Sequence, residues 1–341
     1  MKIAFVTISS PYGLRETYIT NELKTIAKIK KDFLVFPIFP TDKKKFDARL
    51  SNFIYQQTIS DLVDSTAYAG KNLLKILKIL FLIARYNKPK RFLYSVIFLP
   101  KSILLASLVK KLKIDHLHAY WGSSPATCCF IVNQLEGIGF SFTIHRADII
   151  KDNMIERKAQ FAKFVRSISQ KGKERAIALG ADRKKIFVSH LGVDTPKYSH
   201  PKEKEETLEL VNVGDLISLK GTLKLVETIS ALNEVRLTIY GEGPLRKKLQ
   251  NKIKGLDLDS RVKLAGRINH SELIKLYKRK KFDLFVLPSS IEGIPVSAME
   301  AMAHSIPVAI RMVGAVDELV DSKNGYPLDE SLVNLKQICK K

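Results

Sequence analysis

Cysteine is scarce in these 341 residues: three in all, two of them neighbours, Cys128 and Cys129. That spacing forms no metal set and no disulfide framework, and it fits a reducing compartment. No run of 18 apolar residues exists, so no segment is expected to span a bilayer. The opening MKIAFVTISSPYG is too short and too strand-like for a secretory leader. Zinc spacings, a basic zipper and an aromatic RNA-binding signature are all missing, which argues against nucleic acid as the partner of a net charge of +23. Internal repeats and low-complexity segments are missing too. The most localised absence is acidic: residues 65–114 hold no Asp or Glu, yet 11 Lys or Arg.

What is present reads as alternating strands and helices. An apolar fraction of 45% is that of a folded globular chain, and the length suffices for two domains. Strand-like runs are expected at residues 2–7, 33–39, 114–119, 141–145, 164–169 and 186–190, then at 208–213, 236–240, 262–265, 284–287 and 307–310. Helical periodicity lies between them, for example at 222–232 and 270–280. This alternation predicts βαβ units and parallel sheets. The polar, Pro-containing stretch DTPKYSHPKEKEE is the best linker candidate. The expected organisation is a first α/β domain at 1–194, a linker at 195–206 and a second α/β domain at 207–341.

The acid-free stretch, about 65–114, reads as a basic amphipathic insertion in the first domain. A helix over residues 71–85 would set Lys71, Lys75 and Lys78 on one stripe, with Leu and Ile elsewhere. Such a segment suits an anionic membrane surface, and each Lys or Arg near one contributes about 1 kcal/mol. A helix with a core face and solvated lysines fits equally. The expected location is cytoplasmic, with peripheral attachment to the inner face of the cell membrane.

The densest cluster of chemistry is PSSIEGIPVSAMEAMAHSIPV, residues 288–308. The run Leu284-Phe285-Val286-Leu287 reads as a buried parallel strand ended by Pro288. Ser289 to Gly293 is loop, and Pro295 suits the start of a helix running through Met302. Glu292 then sits at the carboxyl end of a strand and Glu300 in the second helical turn. Open α/β sheets bind ligands at that edge. The helix start offers N–H groups to phosphate, while the carboxylates suit sugar hydroxyls. A charged loop before an amphipathic helix is the plainer reading. The matching context favours the other: Glu292-Gly293-Ile294-Pro295, Glu300-Ala301-Met302-Ala303 and Ile306-Pro307-Val308 resemble the donor-sugar motif of the retaining family 4 nucleotide-sugar glycosyltransferases. In that family the first Glu contacts the donor sugar and the second the ribose.

Further segments carry the resemblance. Ser9 to Ile19 is similar to the family's first loop, where Gly13 would face the donor phosphates, and Glu16-Thr17-Tyr18-Ile19 resembles an E-T-F-I of bacterial exopolysaccharide transferases. His116-Leu117-His118-Ala119 and Phe142-Thr143-Ile144-His145-Arg146-Ala147-Asp148 resemble two strand ends that carry histidines. By resemblance His145 sits beside the transferred sugar, and His118 and Arg146 serve the acceptor or the cleft. Val213-Gly214-Asp215 through Lys220-Gly221 resembles V-G-R-L-x-x-x-K-G, whose Arg and Lys hold the diphosphate. Lys220 matches, but Asp215 stands where Arg is usual. One unit charge at about 5 Å and an effective dielectric near 20 is worth roughly 3 kcal/mol to a phosphate. Either donor binding weakens, or Asp215 points away and Arg267 or another cation substitutes. Gly241-Glu242-Gly243-Pro244 looks like the family's G-x-G-P turn, and Arg267 would stack on the base or reach the phosphates.

The resemblance implies two Rossmann-like parallel-sheet domains facing a cleft, the GT-B fold. It implies transfer of a sugar from a UDP- or GDP-sugar to a glycan or lipid-linked acceptor hydroxyl, with retention, no resident cofactor and no metal. His145 and Glu292 would be catalytic. Gly13, Lys220, Arg267, Gly293, Ile294, Pro295, Val296 and Glu300 would bind the donor. Relatives usually continue past Asn324-Gly325-Tyr326 with helices that cross back onto the first domain, whereas about fifteen residues follow here. Two alternatives stay open: a non-catalytic nucleotide-sugar-binding or scaffolding subunit of a polysaccharide assembly complex, and a nucleotide-sugar 2-epimerase.

Overall fold

A computed structural model of the chain describes residues 1–13, 16–40, 47–151, 154–196, 206–279 and 281–340. They divide into two compact units, Met1–Leu191 and Gly192–Lys341. Of the expected linker 195–206, residues 197–205 lie outside the described set, as do Leu14 and Arg15 of the first loop.

The first unit holds six parallel strands: β1 (Ile3–Thr7), β2 (Phe33–Pro37), β3 (His116–Ala119), β4 (Gly139–Ile144), β5 (Val165–Ser167) and β6 (Ile186–Val188). Their order is β2-β1-β3-β4-β5-β6. The second unit holds β7 (Leu208–Val213), β8 (Val235–Tyr240), β9 (Val262–Gly266), β10 (Leu284–Leu287), β11 (Val308–Arg311) and β12 (Tyr326–Leu328), ordered β12-β11-β10-β7-β8-β9. That is the doubly wound Rossmann order. In each sheet the chain reverses its direction of winding once, between β1 and β3 and between β7 and β10. At such switch points the loops leaving neighbouring strands part and leave a crevice, which is where open α/β sheets bind ligands.

The strands are near-continuous apolar runs because helices cover both sheet faces. Val6, Leu117, Ala119, Phe140, Phe142 and Ile144 are buried in the first core, Leu210, Leu237, Ile239 and Val286 in the second. Cys128 and Cys129 lie fully inside the first core. Burial pushes the Cys128 thiol up to about 12 and raises that of Cys129, so both stay protonated packing groups.

Two sequence expectations change. β12 was not anticipated, because a three-residue run with Pro327 at its centre reads as a breaker. It survives as an edge strand beside β11, where the missing proline N–H costs nothing. The basic segment is not one helix over 71–85. Lys71 ends the helix Ile59–Lys71, and the next helix is Leu73–Tyr86. Asn72 divides them: its side-chain amide donates to the Tyr68 carbonyl at 3.0 Å, and its φ of −112° leaves the helical region.

Candidate functional site

In the second unit, β7 and β10 diverge at the switch point, and one ion pair bridges their loops. After β7, Gly214 lies against the Lys220 stem. Lys220 Nζ donates to Glu292 Oε1 at 2.5 Å, from the loop after β10. Gly221 fixes this close approach with φ 68°. A Cβ there would stand 2.4 Å from the Pro288 carbonyl oxygen, so only glycine fits. Gly314, in the loop after β11, does the same against Glu292: φ is 64°, and a Cβ would stand 1.8 Å from its carbonyl oxygen. Glu292 is thus held from both sides, by Lys220 at its carboxylate and by the Gly314 loop at its backbone.

The helix Val296–Ala303 starts just after Glu292, with Pro295 as its N-cap and no side-chain cap. Gly293, Ile294, Pro295 and Val296 line its approach, and Ile294 and Pro295 are buried. Glu300 is buried one turn in, 2.9 Å from His270 Nε2. Nothing in the sequence linked these two, since His270 begins the separate helix His270–Lys278. Behind them Tyr277 is fully buried, and its phenol is pushed far up by burial and then by the Glu300 charge. Two buried hydroxyls at the same strand ends, Thr222 Oγ1 and Ser289 Oγ, have no hydrogen-bond partner among the described residues. Sequence reading passed over both, because Ser and Thr beside a strand end are ordinary turn residues.

Asp215 is exposed and lies 3.5 Å from Arg267 Nη2. Arg267 therefore lies beside the anomalous acid, from the loop after β9, and offsets part of its charge. At this distance and exposure the pair contributes little to stability.

The first unit's switch point is built differently. Glu16 is the N-cap of the helix Thr17–Ile29, yet its side chain turns back on the preceding loop. Its Oε2 accepts the N–H groups of Ser9 and Ser10 at 2.7 and 2.6 Å, and its Oε1 accepts the Trp121 indole N–H at 2.6 Å. One buried carboxylate thus ties the loop after β1, which carries Gly13 (φ 72°), to the turn after β3. The next turn residues, Gly122 and Ser123, offer their carbonyls to Lys158 Nζ at 2.7 and 3.3 Å. Lys158 is wholly buried. Both ties join residues distant in sequence, and neither was legible there.

His145 follows β4 and packs on Trp121, with ring centroids 4.2 Å apart, and on Tyr18 at 5.6 Å. Its N–H is accepted by Asp148 Oδ2 at 2.9 Å. Its Nδ1 lies 3.7 Å from that oxygen, too long for a hydrogen bond. Both imidazole nitrogens and the Tyr18 hydroxyl are buried without a partner among the described residues. Burial first, then the charges of Glu16, Asp148 and Glu22, pushes the Tyr18 phenol well up.

His118 stands apart. Its Nδ1 meets Ser141 Oγ at 2.8 Å and its Nε2 meets Thr143 Oγ1 at 3.0 Å, so both ring nitrogens serve the β3–β4 pairing. Burial first, then Arg166 and His116, pushes it down to about 3. It is a neutral cross-strand link. Arg146 is half-buried at the start of the short helix Arg146–Lys151. Among the sequence-chosen residues, Gly13, His118, His145 and Arg146 belong to the first unit, and Lys220, Arg267, Glu292 to Val296 and Glu300 to the second.

Residues 195–336 match the family described as glycosyl transferases group 1. The C-terminal unit is a group 1 glycosyltransferase domain. Along most of its length this chain is similar to the amylovoran biosynthesis glycosyltransferase AmsK of Erwinia amylovora, at 28% identity over 94% of this chain and 85% of that protein. It is 34% identical to the putative colanic acid biosynthesis glycosyltransferase WcaL of Escherichia coli K12, over 45% of this chain and 40% of that one. Among solved structures, Anabaena HepE in complex with UDP and glucose matches with a TM-score of 0.74 at 17% identity, covering 100% of this chain and 90% of that one. The chain thus has the GT-B fold that the motifs implied.

Proposed function

We propose that this protein transfers a sugar from a nucleoside diphosphate donor, with UDP the first candidate, to a hydroxyl of a glycan or lipid-linked acceptor during cell-surface polysaccharide synthesis, with retention of anomeric configuration. The observation that carries this reading is the Lys220–Glu292 bridge across the β7/β10 switch point, next to the uncapped helix start at Val296 and to Glu300. The names of AmsK and WcaL support the polysaccharide context, and the UDP and glucose in HepE support the donor class.

In the reaction, the acceptor oxygen replaces the phosphate oxygen at the anomeric carbon. The departing diphosphate gains charge, which Lys220 and the N–H groups around Ile294 to Ser297 stabilise without a metal. The hydroxyls of Thr222 and Ser289 are further donors to it. Glu292 and His145 position the sugar, Glu300 holds the ribose with His270 behind it, and Arg267 meets the base or the phosphates. Gly13 lets the first loop approach the phosphates, and Arg146 faces the acceptor.

The test is titration calorimetry with UDP-, GDP-, ADP- and TDP-sugars. One of them should bind, and Glu300→Ala should abolish that binding with the fold intact. Retained affinity in the variant would remove the ribose role. Asp215 favours a second reading, a non-catalytic nucleotide-sugar-binding subunit. A bound donor that is neither transferred nor hydrolysed with any glycan acceptor would favour it. Conversion of the sugar while the nucleotide stays attached would instead mark an epimerase.

A further inference from the structure

The helix Leu73–Tyr86 is apolar on two faces. At 100° per residue, Ile76, Ile79 and Ile83 share an arc of roughly 60°, and all three are buried in the first unit's core. Leu73, Leu74, Leu77 and Phe81 fall in another arc of roughly 100°. These four face outward, with Leu74 76% and Phe81 71% exposed. Between the two, Lys75, Lys78 and Arg85 form a third stripe, also exposed. A soluble helix needs one apolar face, so the outer stripe is unexplained by folding.

The pattern continues on the helix Pro89–Ile97, which packs against it. There Leu93, Tyr94 and Ile97 are exposed, and Lys88 and Lys90 stand exposed at its start. No acidic residue occurs anywhere in 65–114 to balance these cations. Among the described residues no single helix is long and apolar enough to cross a membrane, and in the one bent pair of sufficient apolarity, Pro89–Ile97 with Leu99–Lys111, six of the 13 residues of the second helix are buried in the fold.

We propose that this face docks on an anionic lipid surface, with the Leu73, Leu74, Leu77 and Phe81 side chains among the acyl chains and Lys75, Lys78 and Arg85 at the headgroups. A large apolar stripe beside a basic one matches the layering of a lipid interface. Protein interfaces are depleted in Lys, and a stripe made chiefly of exposed Leu offers a nucleic acid no row of aromatic faces for its bases to stack on. The inference goes beyond the transfer chemistry and does not depend on it, because its readout uses no sugar.

The experiment is co-sedimentation of the full chain with phosphatidylcholine vesicles, with and without about one third phosphatidylglycerol, in salt near physiological ionic strength. The anionic vesicles should bind the protein and the neutral ones much less. Two triple variants, Leu74→Ser/Leu77→Ser/Phe81→Ser and Lys75→Gln/Lys78→Gln/Arg85→Gln, should each lower the partition constant roughly tenfold or more. Every substituted side chain is exposed, so circular dichroism should be unchanged, and the charge triple stands if the apolar one misfolds. A control, Lys247→Gln/Lys248→Gln/Lys254→Gln in the helix Arg246–Gly255, should stay within about twofold. Three results overturn the proposal: no binding by the wild type, an equal loss in the control, or lipid-free dimers that the Ser triple disperses, which would make the face an interface between copies.

Discussion

The two switch points share a single reversal of winding and differ in what holds them. In the second unit, side chains meet carboxylates directly: Lys220 pairs with Glu292, and His270 Nε2 lies 2.9 Å from Glu300. In the first unit, the ties are a carboxylate gathering three N–H groups and a buried lysine bonding to carbonyls. The group left over there, His145, is sandwiched by aromatics with its nitrogens unbonded. The lesson is a division of labour within one fold. The second edge presents ionic groups that a charged ligand can re-pair, whereas the first is a rigid frame around one imidazole.

This contrast predicts that losses in the second unit fall on rate or affinity, and losses in the first on stability as well. The largest effect is expected for Lys220→Ala. Initial-rate kinetics should show kcat/KM lower by about a thousandfold, or roughly 4 kcal/mol, with the melting temperature moved by less than about 3 °C. A fall in stability of the same size would make the bridge structural and erase the contrast. Lys158→Met should act oppositely. It strands the Gly122 and Ser123 carbonyls, so denaturant unfolding should show a loss of roughly 3 kcal/mol, with donor affinity nearly unchanged.

Glu16→Gln sharpens the same line. The amide cannot serve three donors as a carboxylate does, and the first unit should lose about 2 kcal/mol. Donor KM should rise with it, as the loop after β1 that carries Gly13 loosens. A smaller change is expected from His270→Ala: donor affinity weaker by about tenfold in calorimetry, with thermal stability held. A pH slope tests the β3–β4 link of the first unit. His118 is held near 3 in the fold against about 6.5 when unfolded, so the unfolded chain binds more protons between those values. Stability should therefore fall as pH drops below about 6.5, and His118→Gln should flatten that slope in thermal melts across pH 7 to 4.

Much of this was legible in the chain. Continuous apolar runs announced eleven strands, because a parallel sheet buried on both faces leaves no room for alternation. Glu292 and Glu300 stood out by their places at a strand end and in the following helix, and Lys220 by its resemblance to the V-G-R-L-x-x-x-K-G segment. β12 was hidden, since Pro327 is permitted only by its place at the sheet edge. The outward face of Leu73–Tyr86 was also hidden, because periodicity cannot tell a core stripe from an exposed one when both are Leu and Ile.

By itself the sequence determined the alternation of parallel strands and helices and the concentration of positive charge, both of which follow from short-range pattern. Only the tertiary structure decided which groups meet. His270 lies 30 positions from Glu300, Trp121 lies 105 from Glu16, and Lys158 lies 36 from Gly122. Such pairings arise when strands remote in sequence become neighbours in a sheet, and no local rule carries that information. The sheet order likewise turned His118, alike to His145 as a strand-end histidine, into a link between β3 and β4, because its register puts Ser141 opposite it.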